Sequence, residues 1–291
     1  MQVSLDCLPC QLRQILEAAR MATNQTAIQE KIMENALQLS MDYKSFSDSA
    51  DMGRALQQII AKHTGVLDPY RKIKDKNIKK SLEVYPLLQR FTAKKDERLY
   101  WALKTAATGN IIDSAVYNDV SIEDSLMGEL EKEFTICDIE RLEEELKQAG
   151  SLLIIGDNAG ETVFDRVLIS QLEHLDITYA VRSEPVINDA TLEDARASGL
   201  EDCSRLISTG CNVAGVILDE CSEEFLDIFY GADIVICKGQ GNYETLSEHK
   251  GRSMFFLLKA KCSVLAGLLG VSINDYIFKW NGIADEKLNK S

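Results

Sequence analysis

Histidine and proline are scarce in this chain, with three and four residues in 291. His63, His174 and His249 all lie away from the polar motifs described below, so each is expected to pack or face solvent, and an imidazole-based metal cage is not expected. There is no low-complexity tract and no obvious internal repeat. No segment approaches the ~20 uninterrupted apolar residues of a membrane span. The opening MQVSLDCLPCQLRQ has no basic region leading into an apolar one, so the cytoplasm is the expected location. Basic residues are outnumbered, 32 against 46 acidic, for a net charge of -14. That balance disfavours nonspecific nucleic-acid and anionic-membrane partners, and a small anionic substrate would require a local positive centre.

Cysteine is also too sparse for a disulfide scaffold. Cys137, Cys203, Cys211, Cys221, Cys237 and Cys262 show no regular spacing and read as small core residues or inert thiols. Cys7 and Cys10 differ because they form a Cys-x-x-Cys pair, which can bind metal or cycle as a dithiol. No second pair completes a zinc site and no strand precedes it, so helix-start packing is the competing reading.

What is present is ordinary for a globular chain: 45% hydrophobic and 27% charged residues, enough to bury a sizeable core. The first part reads as helical. Apolar residues recur at helical spacing in 10–21, 27–39, 50–60, 73–88 and 99–107, with Gly65 and Gly109 where helix ends are expected. Two acidic amphipathic helices are expected over 121–134 and 138–149. From Ser151 short apolar strands alternate with helical segments, which predicts a doubly wound, mainly parallel α/β sheet with helices on both faces. The expected division is a helical part over 1–110 and an α/β part over 111–291, with a boundary anywhere between 110 and 150.

The polar residues gather where those strands end. LLIIGDNAGE, from Leu152 to Glu161, runs from a buried strand into Asp157 and Asn158, with Gly156 and Gly160 permitting a tight turn. Open α/β sheets bind ligands at such carboxyl ends. A carboxylate beside an amide oxygen suits a hard divalent cation; the alternative is a helix cap, with Glu161 in the first turn complementing the dipole. A second strand leads through YAVRSEPVIND to Asn188 and Asp189. Thr191 with Asp194 resembles a capping pair, which leaves Asp189 for another task.

The third strand end is KGQGNYE. Lys238 supplies a point charge, while Gly239 and Gly241, followed by Asn242, expose backbone N–H groups before a helix expected just beyond, so this segment is a candidate phosphate cradle or else a plain glycine turn. Neither this segment nor GDNAGET has the spacing of a Walker motif or the full dinucleotide fingerprint. Two weaker candidates complete the set. Asn110 and Asp113, in GNIID, stand where a cleft between the two parts would open, and Arg182 is placed either to aid anion binding or to pair with an acidic neighbour.

Taken together, DCLPCQLRQ, GNIID, IIGDNAGE, INDAT, KGQGN and LLKAKCSVLA resemble the metal-dependent damage-control phosphatases, long catalogued as domain of unknown function 89. The motifs run in the family's order over nearly the whole chain, and Cys7 with Cys10 resembles its prokaryotic branch. KCSVLA departs from the family pattern, in which proline would follow the cysteine. The resemblance implies a helical domain on an α/β/α sandwich, a divalent metal ion (Mn, Co, Ni or Mg) on Asp157, Asn158 and Asp189, and phosphate held by Lys238 and its glycine loop. It also implies a small phosphorylated metabolite as substrate, and Glu161, beside Asp157 and Asn158, is counted with Gly239, Gly241, Asn242, Asn110, Asp113 and Arg182 among the expected substrate-binding residues. A methyltransferase using S-adenosylmethionine and a noncatalytic metal- or metabolite-binding protein are the rivals. The first would want a Gly-x-Gly-x-Gly loop after the first strand, which GDNAGE lacks. The Asp-x-Asp pair of haloacid dehalogenase phosphatases is likewise missing there.

Overall fold

The computed structural model describes residues 1–109 and 122–282. Asn110 and Asp113 therefore lie outside the described residues, as does the expected domain boundary at 110. Helices α1 (Cys7–Ala22), α2 (Thr26–Ser40) and α3 (Ser49–Thr64) come first, followed by α4 (Arg71–Ala93), α5 (Arg98–Thr108) and α6 (Ile122–Leu130). Strands and helices then alternate: β1 (Phe134–Cys137), α7 (Ile139–Leu146), β2 (Ser151–Ile155), α8 (Glu161–Ile169), β3 (Asp176–Val181) and α9 (Leu192–Ala197). The chain continues through β4 (Arg205–Ser208), α10 (Glu223–Gly231), β5 (Ile234–Lys238), α11 (Gly239–Leu246), β6 (Met254–Lys259), α12 (Ser263–Leu269) and β7 (Tyr276–Asn281).

The seven strands form one sheet in the order β1-β7-β6-β5-β2-β3-β4. The five from β6 to β4 are mutually parallel, whereas β7 runs antiparallel to β6 and carries β1 parallel to itself. The result is the doubly wound α/β/α sandwich expected from the alternation. Side chains alternate across a strand, so Leu152 and Ile154 of β2 face one layer while Leu153 and Ile155 face the other. The first face packs against α4, α5 and α8 through residues such as Leu88, Ala102, Val163 and Phe164. On the second face Phe225 and Phe229 of α10, Leu246 of α11 and Leu265 of α12 close the core. A strand buried on both faces must be apolar at every position, which is why LLII reads as a continuous run.

Several elements differ from expectation, among them β7, since no strand was expected beyond β6. The helix expected to reach Phe134 stops at Leu130, and Phe134–Cys137 is instead an edge strand whose partner, β7, lies at the far end of the chain. Helices α4 and α5, expected with the helical N-terminal part, bury their apolar faces in the sandwich core, whereas α1, α2 and α3 share a separate core built on Ile15, Ile32, Leu56 and Ile60. A buried ion-pair cluster secures α4 to the sandwich: Lys74 Nζ sits 2.8 Å from Asp68 and 2.9 Å from Asp194 at the start of α9, which Arg71 also contacts at 2.6 Å. Among the described residues no helix is long and apolar enough to cross a membrane.

Candidate active site at the sheet switch point

From β2 the chain moves outward to β3 and β4, then returns to place β5 on the other side of β2. The carboxyl ends of β2 and β5 therefore flank the point where the winding reverses, the place where such sheets open a ligand crevice. Gly156, Asp157 and Asn158 leave β2 there, and Lys238 and Gly239 leave β5. Beside them the loop after β3 folds back over the β2 loop: Ala159 N donates to Asn188 O at 2.9 Å and Ala190 N to Asp157 O at 2.8 Å, forming an isolated bridge between Asn158 and Asp189. Asp157, Asn158 and Asp189 are thus brought together, and all three are buried.

Neither Asp157 nor Asn158 caps the helix that follows. The N-cap of α8 is Gly160, which offers no side-chain bond. Asn158 instead donates Nδ2 to Glu161 Oε1 at 2.8 Å and to Asp157 Oδ2 at 3.2 Å. At the second loop the box does form: Thr191 N donates to Asp194 Oδ2 at 2.9 Å, leaving Asp189 free to accept Arg182 Nε at 2.8 Å.

The electrostatics of the cluster follow from its burial. The carboxyl of Asp157 is pushed well above the ordinary aspartate range by burial, then by the charges of Asp189 and Glu161. Asp189 is also raised by burial, against the opposing charges of Arg182 and Lys261. Among the described residues no three acidic, histidine or cysteine side chains form a ready-made metal cage. The group here is different in kind, two carboxylates and one amide.

At the third strand end several expected roles shift. Lys238 is completely buried, and its ammonium donates to Asp165 Oδ1 at 2.6 Å, Ala106 O at 3.0 Å and Glu161 Oε2 at 3.2 Å. Three donors meet three protein acceptors, so Lys238 presents none to a phosphate. Burial alone would lower its pKa, but Asp165 and Glu161 raise it, so it is a fixed internal cation. Asn242 is also enclosed: its Nδ2 donates to Lys238 O at 2.7 Å and Gly156 O at 3.0 Å, while its Oδ1 accepts from Arg182 Nη1 at 3.2 Å. Arg182 is accordingly the partner of an acidic neighbour, with Nη2 as its one buried nitrogen lacking a bond. Glu161, with its two oxygens held by Asn158 and Lys238, is part of the internal network as well.

The glycines of KGQGN are explained by packing. They form the first turn of α11 rather than a loop before it. Gly239 has φ +79°, and a Cβ there would strike the Asp157 carboxylate; at Gly241 a Cβ would strike Ala214 O. Gly239→Ala is therefore expected to lower stability by about 1–3 kcal/mol through strain and collision. A urea unfolding midpoint equal to that of the parent protein would contradict this.

One residue was missed. Lys261, just past β6, is exposed, and its charge favours the ionised forms of both Asp157 and Asp189. The signal was available, since β6 is another parallel strand, and its carboxyl end carries Lys259 and Lys261. Cys7 and Cys10 are half-buried free thiols in the first turn of α1, with Ser4 Oγ 3.3 Å from Cys7 Sγ.

Comparison with known proteins places this geometry in context. Residues 3–277 match the model of the "Damage-control phosphatase ARMT1-like domain". "Damage-control phosphatase PH1575" of Pyrococcus horikoshii is 37% identical over 276 residues, covering 93% of this chain and 95% of that protein. A "Damage-control phosphatase" of Archaeoglobus fulgidus is 29% identical over 287 residues, covering 96% and 99%. The crystal structure of PH1575, described as a DUF89 family protein, superposes with a TM-score of 0.88 at 35% identity, covering 97% of this chain and 99% of that one.

Proposed function

The chain belongs to the damage-control phosphatase ARMT1-like family, and from that premise we propose that it is a divalent-metal-dependent phosphatase of small phosphorylated metabolites. The observation that carries this reading is a charge imbalance at the switch point. Among the described residues, four buried carboxylates, Asp157, Glu161, Asp165 and Asp189, face two buried cations, Lys238 and Arg182. With all four ionised, four minus two leaves two negative charges, which one dication balances. Buried carboxylates without a counter-charge are costly. Oxygen donors of this kind suit Mg²⁺ or Mn²⁺ rather than thiophilic ions.

In this reading Asp157, Asp189 and the amide oxygen of Asn158 hold the ion. Both hydrogens of the Asn158 amide are directed at carboxylates, and its Oδ1 has no donor among the described residues, so the oxygen is the atom presented. A bound divalent ion supplies Lewis-acid polarisation of the phosphoryl oxygens and neutralises charge developing on them. Arg182 orients Asp189 through Nε. Lys261, exposed and with a charge that favours the ionised forms of both aspartates, is the accessible cation for the incoming phosphate, the local positive centre that a chain of net charge -14 requires. Glu161 and Lys238 hold the cluster from inside.

The test is turnover of p-nitrophenyl phosphate and a panel of sugar phosphates by chelator-treated protein, with and without Mn²⁺, Co²⁺, Ni²⁺ and Mg²⁺. Hydrolysis that appears only on adding metal is expected. Hydrolysis indifferent to chelator would overturn the metal assignment. Tight binding of S-adenosylmethionine with no hydrolysis would favour the methyltransferase rival.

A further inference from the structure

Behind the candidate metal site runs a buried polar chain. Glu161 and Asp165 stand four residues apart on α8, so their carboxylates share one face of the helix. Both meet the ammonium of Lys238, at 3.2 and 2.6 Å. The second oxygen of Asp165 accepts the hydroxyl of Tyr179 at 2.6 Å. Tyr179 rises from the middle of β3, fully buried, and its ring and hydroxyl lie so near Gly156 that a Cβ there would come within 2.7 Å of them. The same side chain thus touches the backbone that carries Asp157 and the carboxylate that fixes Lys238.

We propose that Asp165, braced by Tyr179, is a positioning residue: it pins Lys238 against Glu161, and Glu161 then selects which end of the Asn158 amide faces the metal site. The selection is chemical. An ionised carboxylate accepts hydrogen bonds and cannot donate, so Glu161 Oε1 takes the amide nitrogen at 2.8 Å and turns the oxygen away. Lys238 prevents Glu161 from rotating because its three donors have three fixed acceptors, one of them the main-chain carbonyl of Ala106 on α5. Asp165 takes the shortest of those bonds and is itself wholly buried, so no water replaces it. Outer partners of this kind orient ligands without touching the ion, and their loss typically weakens metal affinity about 10- to 100-fold.

The inference rests on the metal-dependent reading of the site, so its test begins with binding. Calorimetric titration of Mn²⁺ into the chelator-treated full chain, without substrate, is compared for the parent protein, Asp165→Asn and Tyr179→Phe. Asp165→Asn is expected to bind Mn²⁺ roughly tenfold or more weakly, and Tyr179→Phe several-fold more weakly, both with parent-like circular dichroism. Turnover of p-nitrophenyl phosphate by both variants should recover as Mn²⁺ is raised, while KM at saturating Mn²⁺ stays within about twofold of the parent value. That split separates positioning of the ion from contact with phosphate, which would raise KM and leave Mn²⁺ affinity alone. If Asp165→Asn does not fold, Tyr179→Phe carries the test, since it removes one hydroxyl and no charge. Parent-like Mn²⁺ affinity in a folded variant overturns the proposal while leaving the metal site intact. Absence of Mn²⁺ binding by the parent protein overturns the metal-dependent reading itself, and this inference with it.

Discussion

Asp157→Asn is expected to lower metal-dependent turnover by about a thousandfold, the equivalent of roughly 4 kcal/mol in the barrier, and yet to raise the melting temperature in the presence of a chelator. Both effects have one cause. Burial and the neighbouring charges of Asp189 and Glu161 hold the Asp157 carboxyl above its ordinary range. A carboxyl whose folded pKa is raised contributes stability that is fully present below its unfolded pKa, about 3.9, and that contribution is lost as pH rises through the folded value. At pH 8 in chelator the parent protein therefore bears the cost of burying an acid that is ionised in the unfolded chain, and the amide variant does not. The gap in melting temperature should narrow as pH falls toward about 4. Excess Mn²⁺ should reverse the order, because a ligand at a hundred times its Kd stabilises by about 2.7 kcal/mol. Scanning calorimetry of both proteins, with chelator and with Mn²⁺, reads all of this. A variant that melts lower than its parent in chelator at pH 8, or one that retains turnover, would show that Asp157 is not a site residue built at the expense of stability.

Lys238→Met should be the most destabilising of the substitutions considered. Removing the ammonium leaves Glu161 and Asp165 buried against each other, and breaking a buried pair from one side costs about 3–5 kcal/mol. For a chain of this size that corresponds to a fall of roughly 10 °C in melting temperature. The pH dependence has a definite sign. The folded pKa of Lys238 is raised, so its contribution is complete below the unfolded value of about 10.4 and declines only as pH climbs through the folded one. The loss should thus be nearly constant from pH 6 to 9. A phosphate-contacting lysine predicts the opposite pattern, a higher KM with an unchanged melting temperature. Thermal melts and steady-state kinetics on the same preparation decide between them.

The contrast between Asp157 and Lys238 also marks how far the chain could be read. Both were picked out by one rule, that polar residues at the carboxyl ends of parallel strands line a crevice, and β2, β3, β5 and β6 were visible as apolar runs because they are buried on both faces. The Thr191–Asp194 capping pair was visible too, being local. β1 was not. In β1 the four residues FTIC carry little periodicity, and among the described residues the strand pairs only with β7, some 140 residues away in the chain. The glycines of KGQGN were legible as glycines but not in their purpose: close approach to Asp157 and Ala214 is decided by neighbours that arrive from other loops.

By itself, then, the sequence determined the fold class, the strand ends and the chemical types gathered at them, because apolar runs, caps and turn residues act over a few positions. Only the tertiary structure decided which of those polar groups face each other. Lys238 meets Glu161 across 77 positions of chain, through the adjacency of β5 and β2 and the packing of α8 on the sheet. A lysine at a strand end has three donors whatever its surroundings, and whether they meet a substrate or the protein's own carboxylates depends on the helix laid over it.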